Sequence, residues 1–226
     1  MTQALLFDLD GTLIDSMPHH HNAWIEWHRR HGHPMDEPGF FASTAGRANA
    51  EILADLLPHL DAAAIDALAE EKEALYREFA RPSLQLIGGA AELAALARSQ
   101  GLKLAVCTAS GLLNMQLAFE RFGIGEWIDT VTSPADGLRG KPHPDIFLEA
   151  ARRLGVAPEA CVVFEDAPLG IEAARRAGMR AVALTTTMPR EAFTGFDNVV
   201  AIVPDLQQFD LGALSPSRPN GEAHHA

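Results

Sequence analysis

The feature that most constrains the fold is an alternation of short apolar runs with segments of helical spacing. Runs that are apolar at consecutive positions predict strands covered by helices on both faces. They are ALLF (4–7), LKLAVC (102–107), CVVF (161–164), RAVAL (180–184) and VVAIV (199–203). The later runs are separated by segments of helical spacing that close with glycine, a common helix stop, at 88–101, 111–123, 144–155 and 170–178. The alternation predicts an α/β fold with a doubly wound parallel sheet.

Residues 17 to about 85 interrupt this alternation, because three segments of helical spacing (19–32, 47–60 and 62–80) follow one another with no convincing strand between them. We therefore predict an all-helical domain inserted after the first strand. The predicted division is core at 1–15, helical insert at 16–85 and core again at 86–213. The remaining residues, 214–226, are rich in turn formers without periodicity, which predicts a mobile tail.

Composition excludes several classes of partner. The 226 residues include 18 Lys and Arg against 30 Asp and Glu, a net charge of −12, which argues against a nucleic acid or an anionic membrane surface. No apolar run reaches the roughly 20 residues of a membrane helix, and the first residues lack the pattern of a signal peptide. We expect a cytoplasmic protein, with Cys107 and Cys161 as buried thiols. No stretch indicates a dimer interface, so a monomer is expected.

Polar residues follow the predicted strands at the point where each strand ends. Asp8 and Asp10 follow the first strand, Thr108 follows the second, and Glu165 with Asp166 follows CVVF. In a parallel α/β sheet, ligands bind beyond the carboxyl ends of the strands. We therefore expect these side chains to converge on one edge of the sheet.

The converging acids require a cation, since several carboxylates within a few ångströms cannot all stay ionised alone. Oxygen ligands favour a hard ion, so Mg²⁺ is the predicted cofactor. Lys141, Thr108 and the backbone N–H groups near Gly11 and Ala109 would form an anion cradle opposite the metal. Such a site suits phosphate transfer, in which Asp8 attacks phosphorus and Asp10 serves as acid and base.

Four motifs in this order resemble those of the haloacid dehalogenase (HAD) superfamily: DLDGT, VCTAS, GKPHPD and FEDAPLGIEAARRAG. The helical insert resembles the C1-type cap of that superfamily. The resemblance implies a HAD-like Rossmannoid core and assigns roles residue by residue. It makes Asp8 the nucleophile and Asp10 the acid/base and a metal ligand through its carbonyl. Thr108 and Lys141 then bind phosphate, with Ala109 beside them, while Asp166 binds metal and Glu165 is a ligand or a partner of one.

Within the superfamily, DSMPHHHNAW and STAGRANAEIL resemble the β-phosphoglucomutase-like branch. That likeness implies that His20, Trp24 and Arg47 in the cap face the substrate. Asn49 stands where mutases carry an Arg for a second phosphate, and Ala45 stands where a pyrophosphatase type carries an acid. Both differences favour a phosphatase acting on a small phosphorylated metabolite, such as a sugar or polyol phosphate. A phosphomutase and a non-catalytic phosphometabolite sensor remain as alternatives.

Several of these residues also have simpler interpretations. Thr108 could only cap a turn, Trp24 could pack inside the cap, and Arg47 could form a surface ion pair. Lys141 could be an ordinary surface lysine. We expect Asn49 and Lys72 to be solvated, as long polar side chains on helices usually are.

Overall fold

The computed structural model describes residues 1–44 and 47–214 and has a six-stranded parallel sheet at its centre. The strand order is β3-β2-β1-β4-β5-β6, so β1 is central and is flanked by β2 and β4. The predicted fold class is confirmed. The strands are β1 (Ala4–Phe7), β2 (Lys103–Cys107), β3 (Thr130–Thr132), β4 (Cys161–Glu165), β5 (Arg180–Leu184) and β6 (Val199–Val203).

Eight α-helices are found in the described part of the chain, five between β1 and β2 and three among the later strands. The first four form the insert, which is called the cap below: α1 (Met17–His31), α2 (Glu37–Thr44), α3 (Asn49–Leu56) and α4 (Ala62–Ser83). The other four belong to the core: α5 (Ala90–Ser99), α6 (Leu112–Phe122), α7 (Asp145–Leu154) and α8 (Pro168–Arg176).

The central strand β1 is buried on both faces because helices cover each side of the sheet. Leu5 and Phe7 belong to the hydrophobic cluster that includes α5, α6 and the cap. Ala4 and Leu6, which point to the opposite face, pack in the cluster formed with α7 and α8. Continuous apolarity in β1 is therefore required by two cores at once.

The two chain segments that join the cap to the core run side by side. Ile14 forms an antiparallel bridge with Leu86, and the Ile87 N–H donates to the carbonyl of Leu13 over 2.9 Å. The Asp15 N–H donates to the carbonyl of Gln85, also over 2.9 Å. The cap is thus attached through one paired linker, next to the residues that follow β1.

Two elements differ from the sequence prediction. Strand β3 was not predicted, because its three residues, TVT, are too few to show a strand pattern. Helix α2 was not predicted because its sequence, EPGFFAST, carries Pro and Gly near its start. Of the predicted tail, Leu214 is buried in a short 3₁₀ turn, and residues 215–226 lie outside the described residues.

Neither cysteine forms a disulfide, and both are buried as predicted. Burial raises the pKa of the Cys107 thiol to about 12. Within residues 1–44 and 47–214, no helix is both long and apolar enough to cross a membrane.

His28 of α1 is buried in the cap with unsatisfied polar atoms. Its ring is 3% exposed and packs edge-on against Phe40, with ring centroids 4.9 Å apart. Neither ring nitrogen finds a hydrogen-bond partner among the described residues. Burial lowers the pKa of His28, because the charged imidazolium would lose its hydration there.

We expect this histidine to make the cap less stable in mild acid. Since its pKa is lower folded than unfolded, the unfolded chain takes up the proton first. Stability is then lost as pH falls below about 6.5, by up to about 1.4 kcal/mol per pH unit. Urea unfolding at pH 7.5 and 5.5 measures the loss, which should shrink in His28→Leu. The exposed His59 provides the control, and an equal effect of His59→Leu would contradict the assignment.

Candidate active site

The strand order brings three predicted site residues to one edge of the sheet. Asp8 follows β1 directly, and its N–H donates to the carbonyl of Phe164 on β4 over 3.0 Å. Thr108 follows β2 on one side of Asp8, and Glu165 ends β4 on the other. These residues meet because parallel neighbours in register end at the same level.

Asp8, Glu165 and Asp166 form a buried acidic cluster. Each offers a carboxylate oxygen, and the three oxygens lie within 4.8 Å of one another. The ammonium of Lys141 is 2.5 Å from Asp8 Oδ1 and 2.5 Å from Glu165 Oε1. The interpretation of Lys141 as an ordinary surface lysine is therefore wrong.

The cluster holds three carboxylates against one ammonium, and the pKa values reflect this imbalance. Burial, followed by the charge of Glu165, raises the pKa of Asp166 to about 7. Burial also raises the pKa of Asp8, although Lys141 acts in the opposite direction. The pKa of Lys141 is raised despite burial, because Asp8 and Glu165 stabilise its charge. A hard cation with oxygen ligands fits this charge deficit and this donor set.

The two acids after β4 have different surroundings. Glu165 Oε2 accepts the N–H groups of Asp166 and Ala167, each over 3.0 Å, while Oε1 receives Lys141. Both oxygens of Glu165 are therefore engaged by protein donors. Among the residues that the structure describes, the side chain of Asp166 accepts hydrogen bonds from two hydroxyls, those of Thr12 over 3.3 Å and of Thr187. Of the two roles left open for Glu165, these contacts favour the partner role over direct ligation.

Thr108, Ala109 and Lys141 line one small cavity beside the acidic cluster. Thr108 Oγ1 accepts the N–H of Ser110 over 2.9 Å, so this hydroxyl does cap the turn. Its own O–H remains a donor, so capping and phosphate binding are compatible.

Asp10 lies between core and cap. The hydroxyl of Ser110 donates to Asp10 Oδ2, and His20 Nε2 is 3.7 Å from Asp10 Oδ1. Burial by itself would raise the pKa of Asp10, but the charge of His20 and the hydrogen bond from Ser110 lower it overall. The second predicted catalytic acid is thus ionised beside a cap histidine.

His20 is a cap residue that lies next to Asp10. Its ring stacks on Tyr76 with centroids 3.9 Å apart, and its Nδ1 is 2.6 Å from Lys72 Nζ. Lys72 was expected to be solvated, which is wrong, since it is 2% exposed. Glu73, its neighbour in α4, accepts a hydrogen bond from Lys72 Nζ over 3.0 Å, and its negative charge makes this burial possible.

The other two predicted cap residues, Trp24 and Arg47, contact residues of the cap itself. Trp24 is 5% exposed and packs edge-on against Trp27 and Phe40, although Lys72 Nζ is 5.4 Å from one of its rings. Arg47 forms an ion pair with Asp55 at 2.6 Å. Contact of Trp24 or Arg47 with a substrate stays a prediction.

Sequence reasoning missed Glu73, Asn114 and Thr187. Thr187 follows β5, so the rule that found the other strand-end residues also applies to it. Glu73 and Asn114 have no such signal, because their meeting depends on how α4 packs against α6.

The family model for haloacid dehalogenase-like hydrolases matches residues 2–178. The chain therefore belongs to this hydrolase family, as the four motifs predict, and it is an enzyme.

Relatives give the class more detail. Validoxylamine A 7'-phosphate phosphatase from Streptomyces hygroscopicus subsp. limoneus is 35% identical over 217 residues, 96% of this chain and 100% of its own length. Fructose-1-phosphate phosphatase YqaB from Escherichia coli (strain K12) is 36% identical over 187 residues, which cover 79% of this chain and 94% of that protein. A crystal structure of β-phosphoglucomutase from Clostridium difficile has a TM-score of 0.79 at 26% identity, covering 93% of this chain and 94% of that one. The predicted class of HAD-like phosphatase and its mutase-like branch are confirmed.

Gly11 is enclosed by the groups that hold Asp166. Its φ of +79° lies in the left-handed region, and an added Cβ would stand 2.1 Å from Asp166 Oδ2 and 2.7 Å from Thr187 Oγ1. The hydroxyl of Thr186 donates to the Gly11 carbonyl over 2.5 Å. A side chain at this position would push Asp166 out of the cluster.

We expect Gly11→Ala to lower the free energy of unfolding by roughly 2 kcal/mol or more, because backbone strain and a buried clash add. Gly101→Ala is the matched control, since Gly101 has a φ of +76° and nothing within 4 Å of an added Cβ. Urea unfolding of both variants separates the two causes. Equal losses would show that the clash with Asp166 contributes nothing.

Proposed function

We propose that the chain is a Mg²⁺-dependent phosphatase that hydrolyses a small phosphorylated metabolite, a sugar or polyol phosphate, through an aspartyl phosphate on Asp8. The observation that carries this proposal is Asp8 held by Lys141 beside Asp166, with Asp10 next to a cap histidine. The phosphorylated small molecules in the names of both phosphatase relatives support the substrate class.

Asp8 is the nucleophile in this proposal. Lys141 binds one of its carboxylate oxygens and keeps the group fixed at the edge of the sheet. The other oxygen attacks phosphorus, and the phosphoryl group is transferred to the carboxylate while the bond to the leaving oxygen breaks. Lys141, the hydroxyl of Thr108 and the backbone N–H of Ala109 bind the phosphoryl oxygens as charge develops on them.

Asp10 moves the proton in both steps. It donates a proton to the leaving oxygen, and its pKa, low in the ligand-free site, rises when a phosphate dianion binds beside it. Asp10 then takes a proton from the water that hydrolyses the aspartyl phosphate. Ser110 and His20 orient its carboxylate from the core side and the cap side.

Asp8 and Asp166 would hold Mg²⁺, together with the carbonyl of Asp10, and Glu165 would support them. When bound, the ion supplies positive charge that offsets the acidic cluster and the phosphate. The hydroxyls of Thr12 and Thr187 keep the Asp166 carboxylate in place for this role.

The first test is phosphate release from sugar phosphates, polyol phosphates, nucleotides and pyrophosphate. Wild type with Mg²⁺ should release phosphate, whereas wild type with EDTA should not. Asp8→Asn should lose at least about 10⁴-fold in kcat, because no covalent intermediate can form. The matched control is Asp15→Asn, on the linker, which should retain activity.

The outcomes separate the candidate functions. Phosphorylation of Asp8 without phosphate release would favour a phosphomutase, in which a substrate hydroxyl replaces water. Tight binding of phosphate esters without a phosphoenzyme would favour the sensor. Full activity of Asp8→Asn would contradict the proposed mechanism outright.

A further inference from the structure

Polar side chains of the cap and the core form a ring of contacts beside Asp10. On the cap side, His20 Nδ1 meets Lys72 Nζ at 2.6 Å, and Lys72 Nζ donates to Glu73 Oε1 over 3.0 Å. On the core side, Asn114 Nδ2 in the first turn of α6 donates to Glu73 Oε2. The ring therefore joins the histidine beside Asp10 to helix α6 of the core.

Ser110 joins the ring from the core through the backbone. Its hydroxyl donates to Asp10 Oδ2, and the chain connects it to Asn114, four positions later. We expect a leaving group whose oxygen reaches Asp10 to lie against His20 and Ser110, the two ring members next to that carboxylate. Its further polar groups would then compete for the contacts among His20, Lys72 and Glu73.

Glu73 is the member of the ring that carries a negative charge on the cap side. Three donors converge on its carboxylate: Lys72, Asn114 and, from α3, Asn49. Its side chain is 19% exposed. Burial alone would raise the pKa of Glu73, but Lys72 and His20 lower it, so the carboxylate is ionised.

The positive side chains around the ring are already paired. Lys72 is bound to Glu73, and Arg77 binds Glu70 at 2.6 Å while donating to Asn114 Oδ1 over 3.0 Å. Arg47, near the start of α3, is paired with Asp55. A second phosphate entering here would have to take its cation from one of these carboxylates.

Hydroxyl groups and phosphate differ in what they would leave behind. A hydroxyl both donates and accepts, so it can replace a ring contact without leaving a charge unpaired. A phosphate dianion that binds Lys72 would leave the Glu73 carboxylate largely buried, without its counter-charge and facing two further negative charges. These contacts would therefore favour neutral polar groups over anionic ones.

We propose that Glu73 is a specificity-determining residue that restricts the enzyme to substrates with one phosphate and an uncharged, polyhydroxylated leaving group. This inference rests on the proposed phosphatase function, since it assumes that phosphate binds at Asp8 and the leaving group at Asp10. It gives a physical reason for hydrolysis in preference to the mutase reaction, which must hold two phosphoryl groups.

The test compares fructose 1-phosphate with fructose 1,6-bisphosphate as competitive inhibitors of p-nitrophenyl phosphate hydrolysis. Wild type should bind the monophosphate more tightly. Glu73→Gln removes the charge at constant size. In this variant the inhibition constant of the bisphosphate, divided by that of the monophosphate, should fall by roughly tenfold. Because it is a ratio within one variant, general damage to the site cancels.

Glu78→Gln is the matched control, because it removes the same charge from an exposed position of α4, and its ratio should stay within about twofold of wild type. Glu73→Asp and Glu73→Asn repeat the comparison with a shorter side chain in case Glu73→Gln folds poorly. Of these two variants, only Glu73→Asn should weaken the preference for the monophosphate. An unchanged ratio in the neutral variants, or a wild type that prefers the bisphosphate, overturns the inference and leaves the phosphatase intact. A wild type that hydrolyses no phosphate ester refutes both.

Discussion

The interaction on which the site depends is the buried ammonium of Lys141 between Asp8 and Glu165. The sheet forces acids together at its carboxyl edge, because β1 and β4 are neighbours in register. Lys141 neutralises part of that negative charge. The pKa of Asp166, raised to about 7, reflects its burial and the negative charge that remains uncompensated. The same deficit that destabilises the ligand-free cluster is what makes it suited to a divalent cation.

The cap completes the site by adding groups that the core lacks. Its paired linker leaves the sheet directly after Asp10, so α1 brings His20 to that carboxylate. Helix α4 contributes Lys72 and Glu73, and the negative charge of Glu73 allows Lys72 to be buried. In the proposed function, the chemistry at phosphorus belongs to the core, while the choice of leaving group belongs to the cap.

The sequence was informative where a residue's position follows from the strand pattern. All five predicted strands are present with nearly the same bounds, and the acids at the ends of two of them, β1 and β4, meet as expected. The missed elements, β3 and α2, are a three-residue strand and a helix containing Pro and Gly, for which local patterns are weak. Side chains beyond the strand ends were harder to assign, as the buried Lys72 illustrates.

By itself, the sequence determined the α/β class, the helical insert and the identity of the core acids, because apolar periodicity and strand-end position are local properties. Only the tertiary structure decided that Glu73 meets Asn114, that Thr187 holds Asp166 and that Arg47 pairs with Asp55. Glu73 and Asn114 are 41 residues apart, and Asp166 and Thr187 are 21 apart. Such contacts depend on how whole elements pack, and no spacing in the chain encodes that packing.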